Sequence, residues 1–184
     1  MEIEKIQVLN RSNVWNANTK KLIQMTLNIG DLESKLTNTI NGFSDRIKTL
    51  IPSLYTHKNS EKEFFNSVDK GICITEVIKH IALELQNLAG LQTEYGRIEQ
   101  TDKIGIYNLE FSYIDEDATV YAALASVEIV EALIKGKPYF IRHDIDRLKC
   151  LFEQYQSTKE SKKTADNIPY FKLNNETVQL SRVV

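Results

Sequence analysis

The sequence predicts an α+β domain: a mixed or antiparallel sheet of about four strands, covered mainly on one face by helices. Three observations carry this reading. Two segments alternate apolar and polar residues, the mark of a half-buried strand. The first sets Ile23, Met25, Leu27 and Ile29 against Gln24, Thr26 and Asn28; the second sets Tyr107, Leu109, Phe111 and Tyr113 against Asn108, Glu110 and Ser112. Between them runs TEVIKHIALELQNLAG, residues 75–90, an apolar stretch with helical spacing. A second helical stretch, 118–135, places Val120, Leu124, Val127, Val130 and Leu133 on one face.

The remaining elements follow in order. Residues 3–9 are rich in β-branched side chains and predict a first strand. Residues 10–20 are polar and Asn-rich around Trp15, and predict a loop. Gly30-Asp31 ends the strand at 23–29, and Asp31 is placed to cap a short helix through Leu36. Residues 42–54 carry Phe43, Ile47, Leu50 and Ile51 at helical spacing, with Ser44 as the cap and Pro52 as the stop. A short helix is expected at 61–68, ended by Gly71. The central helix covers 72–88 and stops at Gly90, a glycine suited to a helix C-terminus. A weaker strand lies at 92–98, joined through 101–105 to the strand at 107–113. Residues 115–117 form an acidic turn, Gly136-Lys137-Pro138 ends the helix at 118–135, and 143–155 is one more helix. Residues 156–167 lack apolar side chains apart from Ala165 and predict a linker. A β-hairpin pattern resumes over 168–184. The expected organisation is thus a domain over 1–155, a linker over 156–167 and a hairpin tail.

Composition narrows the function classes. At 184 residues with 42% hydrophobic and 26% charged side chains, the chain can bury a sizeable core. Lys+Arg 23 against Asp+Glu 25 gives a net charge of −2, too balanced to draw in nucleic acid or an anionic membrane. Cys73 and Cys150 have no metal-site or disulfide-framework spacing. No apolar run nears the roughly 20 residues of a membrane helix, and the start is not a signal peptide, so a cytoplasmic protein is expected. The seven glycines form no GxxxxGKS phosphate loop, and no GxSxG is present.

The most chemically suggestive side chains sit on the central helix. Glu76, His80 and Glu84 recur every four residues, about one helical turn, and so stack along one stripe, with Lys79 beside it. Such a stripe can present metal ligands or a substrate-binding edge. It can equally be the polar edge of a packed helix.

Along almost its full length the chain resembles the N-terminal domain of cyanophycin synthetases. IEKIQVLNRSNVW is similar to that family's opening strand and Asn-x-Trp turn, PSLYTHKNS to its Pro-Ser-Leu…His segment, and KHIALELQNLAG to its central helix. EYGRIEQT resembles the Gly-Arg turn, GIYNLEFSYIDED the following strand, and NIPYFKLNNETVQL the lead-in to an ATP-grasp domain. The resemblance implies a parent enzyme in which ATP-grasp and Mur-ligase-like domains follow. They build a poly-aspartate backbone, attach arginine to each side chain, and use ATP and Mg. None of that machinery lies in these residues, so no cofactor is expected for this chain.

The resemblance also exposes a departure. Many family members carry His-x-x-Glu-His here, the motif of inverted zinc peptidases. In this chain the aligned residues are Glu76, Lys79 and His80. A carboxylate at 76 is an acceptable zinc ligand, but an ammonium at 79 is no general base. We therefore expect no catalytic or metal residues, with a metal-dependent peptidase of altered ligand set as the alternative. The leading expectation is a module that binds the Asp/Arg polymer. Arg97 would take a carboxylate, Glu84 and Glu110 would receive a guanidinium, and His80 is a further polymer-binding candidate. A purely structural or homo-oligomerising scaffold is the third reading. His57 and Trp15 read as structural.

Overall fold

The protein is described here as a computed structural model over residues 1–13, 16–55, 63–93, 95–166, 171–173 and 176–178. It divides into two compact units, Met1–Phe152 and Glu153–Val184.

The first unit is built on a four-stranded antiparallel sheet. Its strands are β1 (Glu2–Asn13), β2 (Asn16–Asn28), β3 (Gly96–Gln100) and β4 (Ile106–Ser112), in the order β1-β2-β4-β3. The two alternating segments are the two central strands. Their register sets Ile23 opposite Phe111, Met25 opposite Leu109 and Leu27 opposite Tyr107. These residues point to one face of the sheet, because side chains alternate along a strand.

That face is covered by helices. The central one, α3 (Ile74–Leu88), follows α1 (Phe43–Leu50) and α2 (Glu63–Lys70). α4 (Glu116–Lys135) packs beside α3, and α5 (Arg142–Asp166) begins in this unit. Val77, Ile78, Ile81 and Leu85 of α3 are fully buried with Met25, Leu109 and Phe111 beneath them, and Ala122, Ile129 and Val130 of α4 complete the core. Burying side chains of this size contributes roughly 1.5–3 kcal/mol each.

The α+β expectation is met, with the sheet wholly antiparallel. Several local readings differ. Residues 10–13 and 16–20, expected as loop, extend the β1–β2 ribbon, with Arg11 paired to Lys20 and Asn13 to Asn16. Polar residues can form a ribbon when the ladder of backbone hydrogen bonds already runs toward them. Asp31 caps nothing: it lies in the first turn of a 3-10 helix, Gly30–Ser34, whose N-cap is Ile29. Ser44 is not a cap either, since α1 starts after Gly42 (φ 66°) and the Ser44 hydroxyl donates to Asp69. The acidic turn proves to be the start of α4. Asp115 is its N-cap, accepting from the Ala118 amide at 2.8 Å, and Glu116 and Asp117 sit at the positive end of the helix.

In the second unit, α5 continues to Asp166, so residues 156–166 are helical rather than irregular. Lys159 lies 5.8 Å over the Tyr155 ring, one turn away. β5 (Phe171–Leu173) pairs antiparallel with β6 (Glu176–Val178).

Candidate functional site

The polar edge of α3 forms because the helix buries Val77, Ile78, Ile81 and Leu85, leaving positions 76, 79, 80 and 87 at the margin. Along it, Lys79 Nζ donates to Glu76 Oε2 at 2.5 Å, and His80 Nε2 lies 3.9 Å from the same oxygen. The imidazole packs on the Phe64 ring of α2, with centroids 4.6 Å apart. Glu84, one turn on, is buried at 5% exposure, where an open edge was the expectation. Among the described residues, no group of three or more His, Cys, Asp or Glu side chains could hold a metal ion. His57 and Trp15 lie outside the described residues.

The other two candidates sit on the sheet. Gly96 faces α3: a Cβ there would stand 2.9 Å from Lys79 Cγ and 3.1 Å from Leu83 Cδ1. The glycine of the sequence EYGRIEQT therefore lets β3 approach the helix. Its neighbour Arg97 must point the opposite way, to the face away from α3. Arg97 is paired in register with Glu110, and Glu110 with Gln24. Gln24 in turn is opposite Gln7. One row, Gln7–Gln24–Glu110–Arg97, thus crosses all four strands on this face.

The members of that row differ in access. Arg97 keeps 49% of its side chain exposed, with Nη2 3.8 Å from Glu99 Oε1. Glu110 is fully buried and accepts from Gln24 Nε2 at 3.1 Å. The alternation of β4 marks Glu110 correctly as facing away from the core, but does not show that this face is itself covered there. Gln24 and Leu22 are also buried on this side. A second row beside the first carries Lys5, Thr26, Asn108 and Glu99, with the Thr26 hydroxyl donating to Asn108 Oδ1 at 2.8 Å.

The structure thus sets Arg97 opposite Glu110 in register on the sheet, keeps His80 and Glu84 one turn apart on α3, and places the two pairs on opposite sides of the sheet. Of the four, His80 and Arg97 expose enough side chain to touch a ligand directly. Sequence reasoning missed Gln7, Gln24 and Lys5. Their signal was the alternation of β1 and β2, which sets them on the same face as Glu110 once the strand order is known.

One further polar cluster lies apart. The Tyr121 hydroxyl donates to Asp144 Oδ1 at 2.9 Å, and burial together with Asp144 raises the Tyr121 hydroxyl above its ordinary range. A shallow groove of about 570 Å³, lined by Arg46, Thr49, Leu50, Lys137 and Tyr139 among others, joins α1 to the α4–α5 connection and touches none of the candidate residues. No helix among the described residues is long and apolar enough to cross a membrane.

Comparison with known proteins points to one family. A cyanophycin synthetase from Geminocystis herdmanii is 37% identical over 157 residues, covering 82% of this chain and 18% of that protein. One from Crocosphaera subtropica is 33% identical over 185 residues, 95% of this chain and 21% of that protein. One from Synechocystis sp. is 36% identical over 157 residues, with 82% and 18% covered. The chain spans about a fifth of the length of these relatives. The family model described as the cyanophycin synthase-like N-terminal domain matches residues 24–135, from the middle of β2 to the end of α4. With more than half of its length matched, and with the sheet and both core helices inside or adjoining the match, the chain belongs to the cyanophycin synthase-like N-terminal domain family.

Proposed function

We propose that this chain is the polymer-holding N-terminal module of a cyanophycin synthetase-like, ATP-dependent ligase, and that it performs no peptide cleavage. The ligand is an Asp/Arg polymer, which carries carboxylates and guanidinium groups along its length. A surface for it must offer both signs of charge without a net field.

The observation that carries this reading is the sheet face away from α3. There Arg97 stands opposite Glu110 in register, with Lys5 and Glu99 in the adjoining row. Both signs of charge alternate on a rigid antiparallel scaffold. Of the facing pair Arg97 and Glu110, Arg97 is the member that reaches solvent, and its planar fork of donors matches a carboxylate. His80 on α3 is a separate contact point. Holding the chain here would raise its effective concentration at ATP-grasp and Mur-ligase-like domains beyond this segment, without either site binding more tightly.

The test is calorimetric titration of β-Asp-Arg oligomers into the protein at low and high salt. Binding that weakens as salt rises, and that falls about tenfold in Arg97→Ala, supports the reading. Affinity unchanged in Arg97→Ala would remove the sheet face as the site.

A further inference from the structure

The row across the sheet has a direction. A carboxylate only accepts hydrogen bonds, so Glu110 obliges Gln24 to turn its NH₂ toward it, at 3.1 Å from Nε2 to Oε1. The Gln24 carbonyl oxygen is then turned to β1, where it accepts from Gln7 Nε2 at 2.7 Å. Gln7 has spent one of its two amide donors inward, which leaves Oε1 as the acceptor at this end of the row. Gln24 is buried and Gln7 half-buried at the edge strand, so neither amide rotates without losing its partner.

We infer that Glu110 acts as a positioning residue that fixes the polarity of the two amides, so that Gln7 Oε1 at the β1 edge receives a guanidinium while Arg97 at the β3 edge receives a carboxylate. The inference rests on the proposed polymer binding and deepens it, by assigning the polymer's two kinds of charge to opposite edges of one sheet. Adjacent strands are about 4.8 Å apart, so the two ends of the row stand roughly 14 Å apart across three gaps. The middle of the row is buried and its two ends are accessible, so a peptide that bridges them, with a guanidinium near β1 and a carboxylate near β3, fits this spacing. Glu110 itself never touches the ligand. A patch of mixed charge without this order would attract either group to any point on the face; a directed row does not.

The test compares two probes on the intact chain: a β-Asp-Arg oligomer, and the same oligomer with norleucine replacing arginine. Norleucine has no donor for Gln7. The readout is the ratio of the two affinities, which a merely structural role for Glu110 would leave alone. Gln7→Leu is expected to lower the ratio about tenfold, the loss of one hydrogen bond to a charged group. Glu110→Gln, whose amide imposes no direction on Gln24, is expected to lower it by a similar factor. The double variant should lower it no further, since both act on the same oxygen. If Glu110→Gln fails to fold, Gln24→Leu breaks the row at its middle and takes its place. A ratio unchanged in Gln7→Leu, or losses that multiply in the double variant, would overturn the inference while leaving polymer binding intact. An unsubstituted chain that binds neither probe would overturn both.

Discussion

Lys79 Nζ and Glu76 Oε2 are 2.5 Å apart on one turn of α3. The resemblance drawn from the sequence implies that these two positions would hold a first histidine and a general base in a zinc-peptidase motif. Here the carboxylate that could ligate a metal is already neutralised by the ammonium beside it. A divalent cation arriving at Glu76 would have to displace Lys79 and then tolerate its charge nearby. Zinc is therefore expected to leave the melting temperature of this protein unchanged. Replacing both, as Glu76→His with Lys79→Glu, puts imidazoles at 76 and 80, one turn apart, and zinc should then raise the melting temperature by several degrees. Thermal melts with and without zinc check this. A zinc-dependent rise in the unsubstituted protein, abolished by His80→Ala, would show a metal site that the ion pair was expected to prevent.

Gly96 is expected to tolerate no side chain. Its added Cβ would meet Lys79 Cγ and Leu83 Cδ1, both on α3, closer than ordinary contact. Gly96→Ala should therefore push β3 from the helix and cost about 1–3 kcal/mol, read as a lower urea midpoint at unchanged slope. The same displacement would move Arg97, so polymer affinity should fall with it.

The α3–α4 contact includes a buried polar bond within its apolar core. Thr119 Oγ1 donates to Gln86 Oε1 at 2.6 Å, and Gln86 is fully buried. Thr119→Val keeps the shape but leaves that oxygen without its donor. We expect a loss of about 1–3 kcal/mol in chemical denaturation, the cost of an unsatisfied buried acceptor. A change near zero would mean that another group or a water takes over.

Acid should weaken the fold through Glu131. Hydrogen bonds from Lys135 and from the Met1 ammonium hold its carboxyl below the ordinary range, against a smaller opposing effect of burial. A group whose pKa is depressed in the folded state stabilises that state above its unfolded pKa. That contribution is lost as pH falls through the folded value. Asp69, depressed by Ser44 and Lys48, acts in the same direction. Glu131→Gln should flatten the acid limb of a stability-against-pH curve while changing little in its alkaline half. An acid limb as steep as in the unsubstituted protein would assign the effect to other carboxylates.

Period and punctuation made most of this fold legible. The alternations at 23–29 and 107–113 are the two central strands, and the stretch ended by Gly90 is α3. What escaped was structure without an apolar pattern. The far arms of β1 and β2 are polar, and only continuity of the backbone ladder makes them strands. Residues 156–166 have no apolar stripe, yet Lys, Glu, Gln and Ala are good helix formers and carry α5 onward from its buried start. The candidate site was half legible. Arg97 and Glu110 were identified singly, but their pairing needed the strand order. The burial of Glu110 and Glu84 could not be read from their neighbours, because a polar position on a strand or helix edge says nothing about what covers it.

The most direct measurement is a single titration of a β-Asp-Arg oligomer into the protein, in the presence of zinc, followed by mass analysis of the recovered ligand. We expect saturable binding that depends on Arg97, with every oligomer recovered at its starting mass. Shortened oligomers accumulating with time, or no binding even at low salt, would contradict a module that holds its polymer and leaves the amide bonds intact.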